Sequence, residues 1–192
     1  MPRNQEIEIK FRVNDLKGLS TQLRRSGFRL ITKPTREMNA LYDLPDQSLR
    51  RTGQILRLRK YGTKWVLTHK SKGTAGRHKT RVENESPVAN GPKVDAILRA
   101  LNFAPSFRYE KFRAEWGDGK GHVVVDRTPI GNFGEIEGPA RWIDRTARIL
   151  GIQRKDYITE NYANLFFQWK ARSKSPADEM TFAAIRKAKN RN

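Results

Sequence analysis

The chain has no cysteine, which excludes disulfides, thiolate metal sites and a cysteine nucleophile. It has no apolar run long enough for a membrane helix or a signal peptide, so a soluble, cytoplasmic protein without a membrane partner is expected. Histidine is scarce, and His69, His78 and His122 are not spaced as a helical metal pair. No Gly-x-x-x-x-Gly-Lys-Ser/Thr phosphate loop and no Gly-x-Ser-x-Gly elbow occurs. Acidic residues are in short supply too: 20 stand against 39 Lys and Arg, a net charge of +19 that implies an anionic substrate or partner.

With 192 residues the chain is long enough for one domain with a sizeable core. Near its start stands Glu6-Ile7-Glu8-Ile9-Lys10. Side chains alternate between faces along a strand, so Glu6, Glu8 and Lys10 share one face while Ile7, Ile9 and Phe11 share the other. Carboxylates at i and i+2 can share a hard cation, and a neighbouring lysine can hold an anion bound to that cation. A solvated strand face would show the same alternation.

Further along, Asn14 is a candidate N-cap for a helix over about 15–26, with Leu16, Leu19 and Leu23 as its apolar stripe. Residues 28–43 read as extended, with a break near Pro34. A hairpin is expected over 54–61 and 64–70, then a polar loop over 71–79 and a strand over 80–88. A helix over 92–102 would bury Val94, Ile97, Leu98 and Leu101. Strands follow at about 106–116, 121–128 and 132–138, then helices at 140–151 and 157–171. The domain is expected to span 1–172. Residues 173–192 read as a basic, weakly ordered tail, with room for a short helix from Phe182 to Lys189.

The opening parity recurs in later strands: Arg57 with Arg59, Thr68 with Lys70, Arg81 with Glu83 and Glu85, Lys111 with Arg113 and Glu115, and Glu135 with Glu137, while Asp126 faces the same way on its own strand. The helices also carry apolar stripes and need a surface to cover. If they cover the outside of a closed sheet, the charged face must turn into the lumen. Eight acids and seven bases would then be enclosed, which is tolerable only if they pair and bind a charged ligand. A triphosphate carrying divalent cations would suit that balance, with acids on the metal and arginines on phosphate oxygens.

At this point the sequence resembles the CYTH superfamily of triphosphate tunnel metalloenzymes, over about residues 4–170. The motifs occur in order: Glu6-x-Glu8-x-Lys10; Tyr42-Asp43-x-Pro45-Asp46 with Leu56-Arg57-Leu58-Arg59; Leu67-Thr68-His69-Lys70; Arg81-x-Glu83-x-Glu85; Lys111-x-Arg113; and Asp126 through Glu135-Ile136-Glu137-Gly138. Asp156-Tyr157-Ile158 with Tyr162 is most similar to the class IV adenylyl cyclase-like branch. The resemblance implies an α+β fold, a closed eight-stranded antiparallel barrel forming a tunnel, with helices packed outside. It also implies Mg²⁺ or Mn²⁺ held by Glu6, Glu8 and Glu137 with Glu135 beside them. Glu83 and Asp126 would support a second cation or orient its waters. Lys10, Arg57, Arg59, Lys70 and Arg113 would bind the triphosphate, and Lys10 with Tyr42 would serve catalysis, with a core role for Tyr42 equally open.

The expected activity is conversion of ATP to cyclic AMP and pyrophosphate. Hydrolysis of inorganic, thiamine or nucleoside triphosphate is the alternative. A non-catalytic polyphosphate- or nucleic-acid-binding module ranks lower, because the bases alternate with acids on strands. A triphosphate-containing small molecule is thus the expected partner, nucleic acid is not, and a homodimer stays open.

Overall fold

The computed structural model describes residues 5–74 and 76–190. Eight strands form a closed antiparallel barrel. They are β1 (Gln5–Arg12), β2 (Arg29–Asp43), β3 (Ile55–Tyr61), β4 (Lys64–Lys70), β5 (Lys79–Val88), β6 (Ala104–Gly117), β7 (His122–Thr128) and β8 (Gly131–Glu137). The order around the barrel is β1-β5-β4-β3-β2-β6-β7-β8, and β8 closes back on β1 by pairing Ile9 with Ile136 and Lys10 with Glu135. Closure leaves no sheet edge along the paired length.

Six helices lie outside: α1 (Leu16–Arg25), α2 (Ser48–Arg51), α3 (Gly91–Ala100), α4 (Ala140–Ile149), α5 (Tyr162–Ser173) and α6 (Phe182–Lys189). The apolar parity of the strands faces them. Ile9, Phe11, Trp116, Val123 and Ile136 are buried with Leu19 and Leu23 of α1 and Ile143 and Ala147 of α4. Across the β1–β8 pair Phe11 lies opposite Gly134, and a Cβ at that glycine would stand 2.2 Å from the Phe11 ring. The glycine therefore admits the ring that fills the space beneath the helices.

Several local expectations change. Asp15, not Asn14, caps α1, its carboxylate accepting from the Lys17 and Gly18 amides at 3.0 and 2.9 Å. Pro34 does not break β2; the pairing with β6 shifts register between Thr32 and Thr35 instead, which places a residue without an N–H where the ladder is already irregular. In α3 Leu98 is buried, but Ile97 and Leu101 remain exposed. The fifth helix starts at Tyr162, not at 157, because Ile158 is drawn into a two-bond bridge with Lys10 of β1.

The segment beyond Ser173, expected to be weakly ordered, is packed in its described part. Met180 is fully buried and exchanges backbone hydrogen bonds with β6, donating to the Arg108 carbonyl and accepting from the Glu110 amide. That part of β6 reaches past the end of β7, so its outer edge is free to take a partner. The helix that follows is α6, whose Ile185 and Ala188 join Phe107, Phe133 and Phe166 in a second apolar cluster.

Candidate active site

The charged parity points inward and encloses a cavity of about 460 Å³. Glu6, Glu8, Lys10, Arg57, Arg59, Lys70, Glu83, Arg113, Glu135 and Glu137 all line it. Every position expected to bind metal or triphosphate is thus brought to one lumen, except Asp126, which lies in the wall just beneath.

Nearly every charge there is already paired. Lys10 Nζ meets Glu135 at 2.8 Å. Burial opposes its charge, but Glu135 and Glu8 outweigh burial and raise its pKa, so it stays an ammonium. Arg57 and Arg59 each reach Glu85 at 3.1 Å, and Thr68 donates to the same carboxylate at 2.8 Å. Lys70 lies between Glu6, at 3.1 Å, and Glu83, with which it makes a shorter contact. Arg81 donates to Glu6 at 2.7 Å. Glu6 is buried, yet Lys70 and Arg81 hold its pKa well below the carboxylate range. Glu83 goes the other way, raised to about 8 by burial and by its hydrogen bond with Glu6.

Asp126 is fully buried and accepts from Lys111 at 2.9 Å, from both Arg113 nitrogens at 2.8 and 2.6 Å, and from the Tyr162 hydroxyl at 2.6 Å. It anchors the cationic side of the lumen, with three of these donors on Oδ2 and one, the Arg113 Nε, on Oδ1. Arg113 also contacts Glu135.

Tyr42 does not line the charged lumen beside Lys10 but lines a second cavity that adjoins it. It lies on the barrel's outer face, buried with Leu58 and Leu98, and its hydroxyl donates to Asp95 of α3. Strand alternation puts Leu41 inward and the Tyr42 ring outward, and the register with β3 is unbroken there, Leu41 opposite Arg57 and Tyr42 opposite Leu56. The tyrosine beside Lys10 is Tyr162, with the Lys10 and Lys111 ammonium groups 4.9 and 4.6 Å from its ring centroid.

Other lumen residues escaped the sequence. Glu37, fully buried, lies 3.5 Å from Lys111 and 3.8 Å from Arg59, and accepts from Asn39 at 3.0 Å. Glu37, Asn39 and Leu41 continue the inward alternation along β2, a signal hidden by the break expected at Pro34. Lys79 lines the lumen 3.6 Å from Glu8, with its pKa lowered to about 8 by burial and by Arg81.

The donor chemistry fits a divalent cation at one place. Glu8 and Glu137 face each other across β1 and β8. Glu137 makes no ion pair among the described residues, and burial with Glu6, Glu8 and Glu135 nearby raises its pKa to about 7. Such a carboxylate carries the negative charge that a cation would stabilise. No set of three or more His, Asp or Glu side chains is already drawn together as ligands among the described residues.

A second cavity of about 420 Å³ adjoins the first and shares Leu41, Ile55, Asn161 and Ala163 with it. Phe107, Phe167, Pro105 and Leu44 give it apolar walls, and Gln47, Gln54 and Asn164 add amides.

Among known proteins, one of Methanocaldococcus jannaschii that bears an adenylate cyclase name is 25% identical over 155 residues, covering 81% of this chain and 83% of that one. A Vibrio parahaemolyticus structure, also bearing an adenylate cyclase name, superposes with a TM-score of 0.77 at 18% identity, over 85% of this chain and 98% of that one. A Hippeastrum structure with an adenylyl cyclase name, described as having a dominant triphosphatase activity, superposes with a TM-score of 0.62 at 19% identity, over 86% of this chain and 95% of that one. The profile of the CYTH domain matches residues 4–162, which is most of the chain, and the protein belongs to the CYTH domain family.

Proposed function

We propose that the protein is a divalent-cation-dependent enzyme acting on a triphosphate, with ATP as substrate and cyclic AMP and pyrophosphate as products. The observation that carries this reading is the lumen itself. Arg57, Arg59, Lys70 and Arg113 converge on one cavity opposite the Glu8–Glu137 pair. A chain of phosphates spanning it would exchange Glu83, Glu85 and Glu135 for its own oxygens, so arginines now held in ion pairs would grip phosphate by the same paired donors. The adjoining apolar cavity is where the nucleoside would extend, and that supports ATP over inorganic triphosphate.

In cyclisation the 3′-hydroxyl oxygen attacks the α-phosphorus, the α–β bridging P–O bond breaks, and pyrophosphate leaves. Mg²⁺ or Mn²⁺ bound by Glu6, Glu8 and Glu137, with Glu135 and Glu83 nearby, would supply charge neutralisation on the phosphates. Lys10 stays protonated beside Glu135, so its role is to hold phosphate. Lys79, with its lowered pKa, suits acceptance of the hydroxyl proton. The arginines stabilise charge on the non-bridging oxygens.

Hydrolysis is the second reading, favoured by the triphosphatase description of the Hippeastrum protein. Water would then attack the terminal phosphorus in the same lumen. Incubation with Mg²⁺ or Mn²⁺ and ATP, inorganic triphosphate or thiamine triphosphate, followed by separation of products, decides between them. Cyclic AMP with pyrophosphate supports the first, orthophosphate the second, and no turnover of any of the three defeats both.

A further inference from the structure

The second cavity holds an amide that cannot turn. Gln54, which stands just before β3 and lines that cavity, is tied at both ends of its side-chain amide. Its nitrogen donates to Thr52 Oγ1 at 3.0 Å, and its oxygen lies 2.9 Å from His69 Nε2. Thr52 sets the direction of both bonds. Its hydroxyl has a single hydrogen, which faces the Ser48 carbonyl at 2.7 Å and the Leu49 carbonyl at 3.1 Å, so towards Gln54 it can only accept. The nitrogen end of the amide therefore points to Thr52 and the oxygen end to His69, which must donate from Nε2. Neither Thr52 nor His69 lines the cavity, so both bear on it through Gln54. Gln54 keeps one N–H and one oxygen lone pair for a ligand. Gln47 and Asn164 also line the cavity, but their side-chain amides make no hydrogen bond with any described residue and can turn to suit either end of a ligand.

Around this amide the cavity suits a flat, uncharged ring. Phe107 and Phe167 give it aromatic walls, and Phe167 is 39% exposed although large and apolar. The Asp43 carboxylate also lines it, but accepts from the backbone amides of Leu44, Leu49 and Arg50 at 2.9, 3.0 and 2.9 Å. The Arg50 guanidinium lies over the Phe167 ring, 5.2 Å from its centroid. Guanine would call for one of those two groups: a carboxylate for its N1–H and amino group, or a free arginine fork for O6 and N7. Adenine instead presents a donor beside an acceptor, its N6 amino group next to N1 or N7, and one amide satisfies both. We propose that Gln54 reads the adenine base of the bound nucleotide, and that His69 is a positioning residue that holds it in the reading orientation. This rests on the lumen being a triphosphate site. The two cavities share Leu41, Ile55, Asn161 and Ala163, so a nucleotide anchored by its phosphates presents its base to Gln54 from one direction. Guanine in the same place would set O6 against the amide oxygen and N1–H against the amide N–H, leaving all four groups unpaired.

The test is calorimetric binding of the α,β-methylene analogues of ATP and GTP, which cannot cyclise, and of inorganic triphosphate, to the full-length protein with Mg²⁺. Wild-type protein should bind the adenine analogue about tenfold or more tightly than the guanine analogue. Gln54→Leu should weaken the adenine analogue until the two lie within about twofold of each other, with inorganic triphosphate, which carries no base, as the reference for the tunnel. His69→Leu should lose most of the preference as well. His69→Gln, whose amide nitrogen replaces the Nε2 donor, should restore it. A histidine that only supports the fold would instead change all three affinities alike. A wild-type preference for guanine or for neither base, or a preference that survives Gln54→Leu, overturns the assignment, and the tunnel reading outlives that result wherever inorganic triphosphate still binds. A preference that survives His69→Leu overturns the positioning role. Failure of all three ligands to bind wild-type protein overturns the base site and the tunnel reading together.

Discussion

Glu37 shows how a single side chain can be structural in a lumen otherwise fitted for a ligand. It is fully buried, and one of its oxygens has no hydrogen-bond partner, so its charge is held by Lys111, Arg113 and Arg59 at a distance. Burial alone would raise its pKa, but these cations, with Arg57, lower it from 4.5 to about 2. A carboxyl depressed in the folded state contributes stability that is fully present above its unfolded pKa and is lost as pH falls through the folded one. Glu37→Gln should therefore destabilise the protein at pH 7 by on the order of 3 kcal/mol. The gap from wild type should close as pH falls from about 4.5 towards 2. Denaturant titrations of both proteins at pH 7, 4 and 3 check this, and a gap that is constant with pH would assign the loss to packing instead. The same strand marks a limit of sequence parity. Glu6, Glu8, Lys10, Arg57, Arg59 and Glu135 were legible because nothing interrupts their alternation. Glu37 was hidden by a proline that the sheet absorbs in a register shift, and Tyr42 falls on the outward parity of the same strand, opposite Leu56.

At the scale of elements, the strands and most helices could be read from periodicity, since each buries one apolar face against the other. After α5 the helix from Phe182 to Lys189 could be read too, but the packing of the segment could not, because its burial depends on a partner far away in sequence. Its only strongly apolar anchors before α6 are Ala177 and Met180, too few to form a pattern. What orders them is the free outer edge of β6 at Arg108 and Glu110, together with the carboxylate of Glu110, which accepts from the Phe182 amide at 3.0 Å and from Arg36 at 2.7 Å. Phe182 then packs on Phe112, with the Arg127 guanidinium over both rings. Met180→Ala should cost about 2–4 kcal/mol, as a fully buried methionine does when truncated. The same change in an unstructured tail would fall within about 0.5 kcal/mol. Urea denaturation separates the two outcomes, and the smaller one would return the segment to the weakly ordered tail first expected.

At the scale of the whole molecule, the barrel encloses a balanced set of charges whose mutual attraction offsets their burial but whose rearrangement a ligand would require. Breaking an internal ion pair is costly unless the incoming group replaces it in kind, so phosphate alone should be a poor ligand. It would satisfy the arginines while adding negative charge beside Glu8 and the uncompensated Glu137. Phosphate together with a divalent cation satisfies both walls at once. Inorganic triphosphate with Mg²⁺, at about a hundred times its Kd, should add about 2.7 kcal/mol and raise Tm by roughly 5–10 °C for a chain of this size. With the cation chelated the shift should shrink to a small fraction of that. Glu8→Ala, which removes one face of the carboxylate pair, should remove the cation-dependent part of the shift while leaving the unliganded Tm near wild type, because Glu8 touches Arg81 and Lys79 only at 3.5 and 3.6 Å. Thermal unfolding of both proteins, with and without Mg²⁺, triphosphate and a chelator, is the measurement. A wild-type shift that is equal with and without the divalent cation would place the negative wall outside ligand binding, and would leave the tunnel as an anion site held by arginine alone.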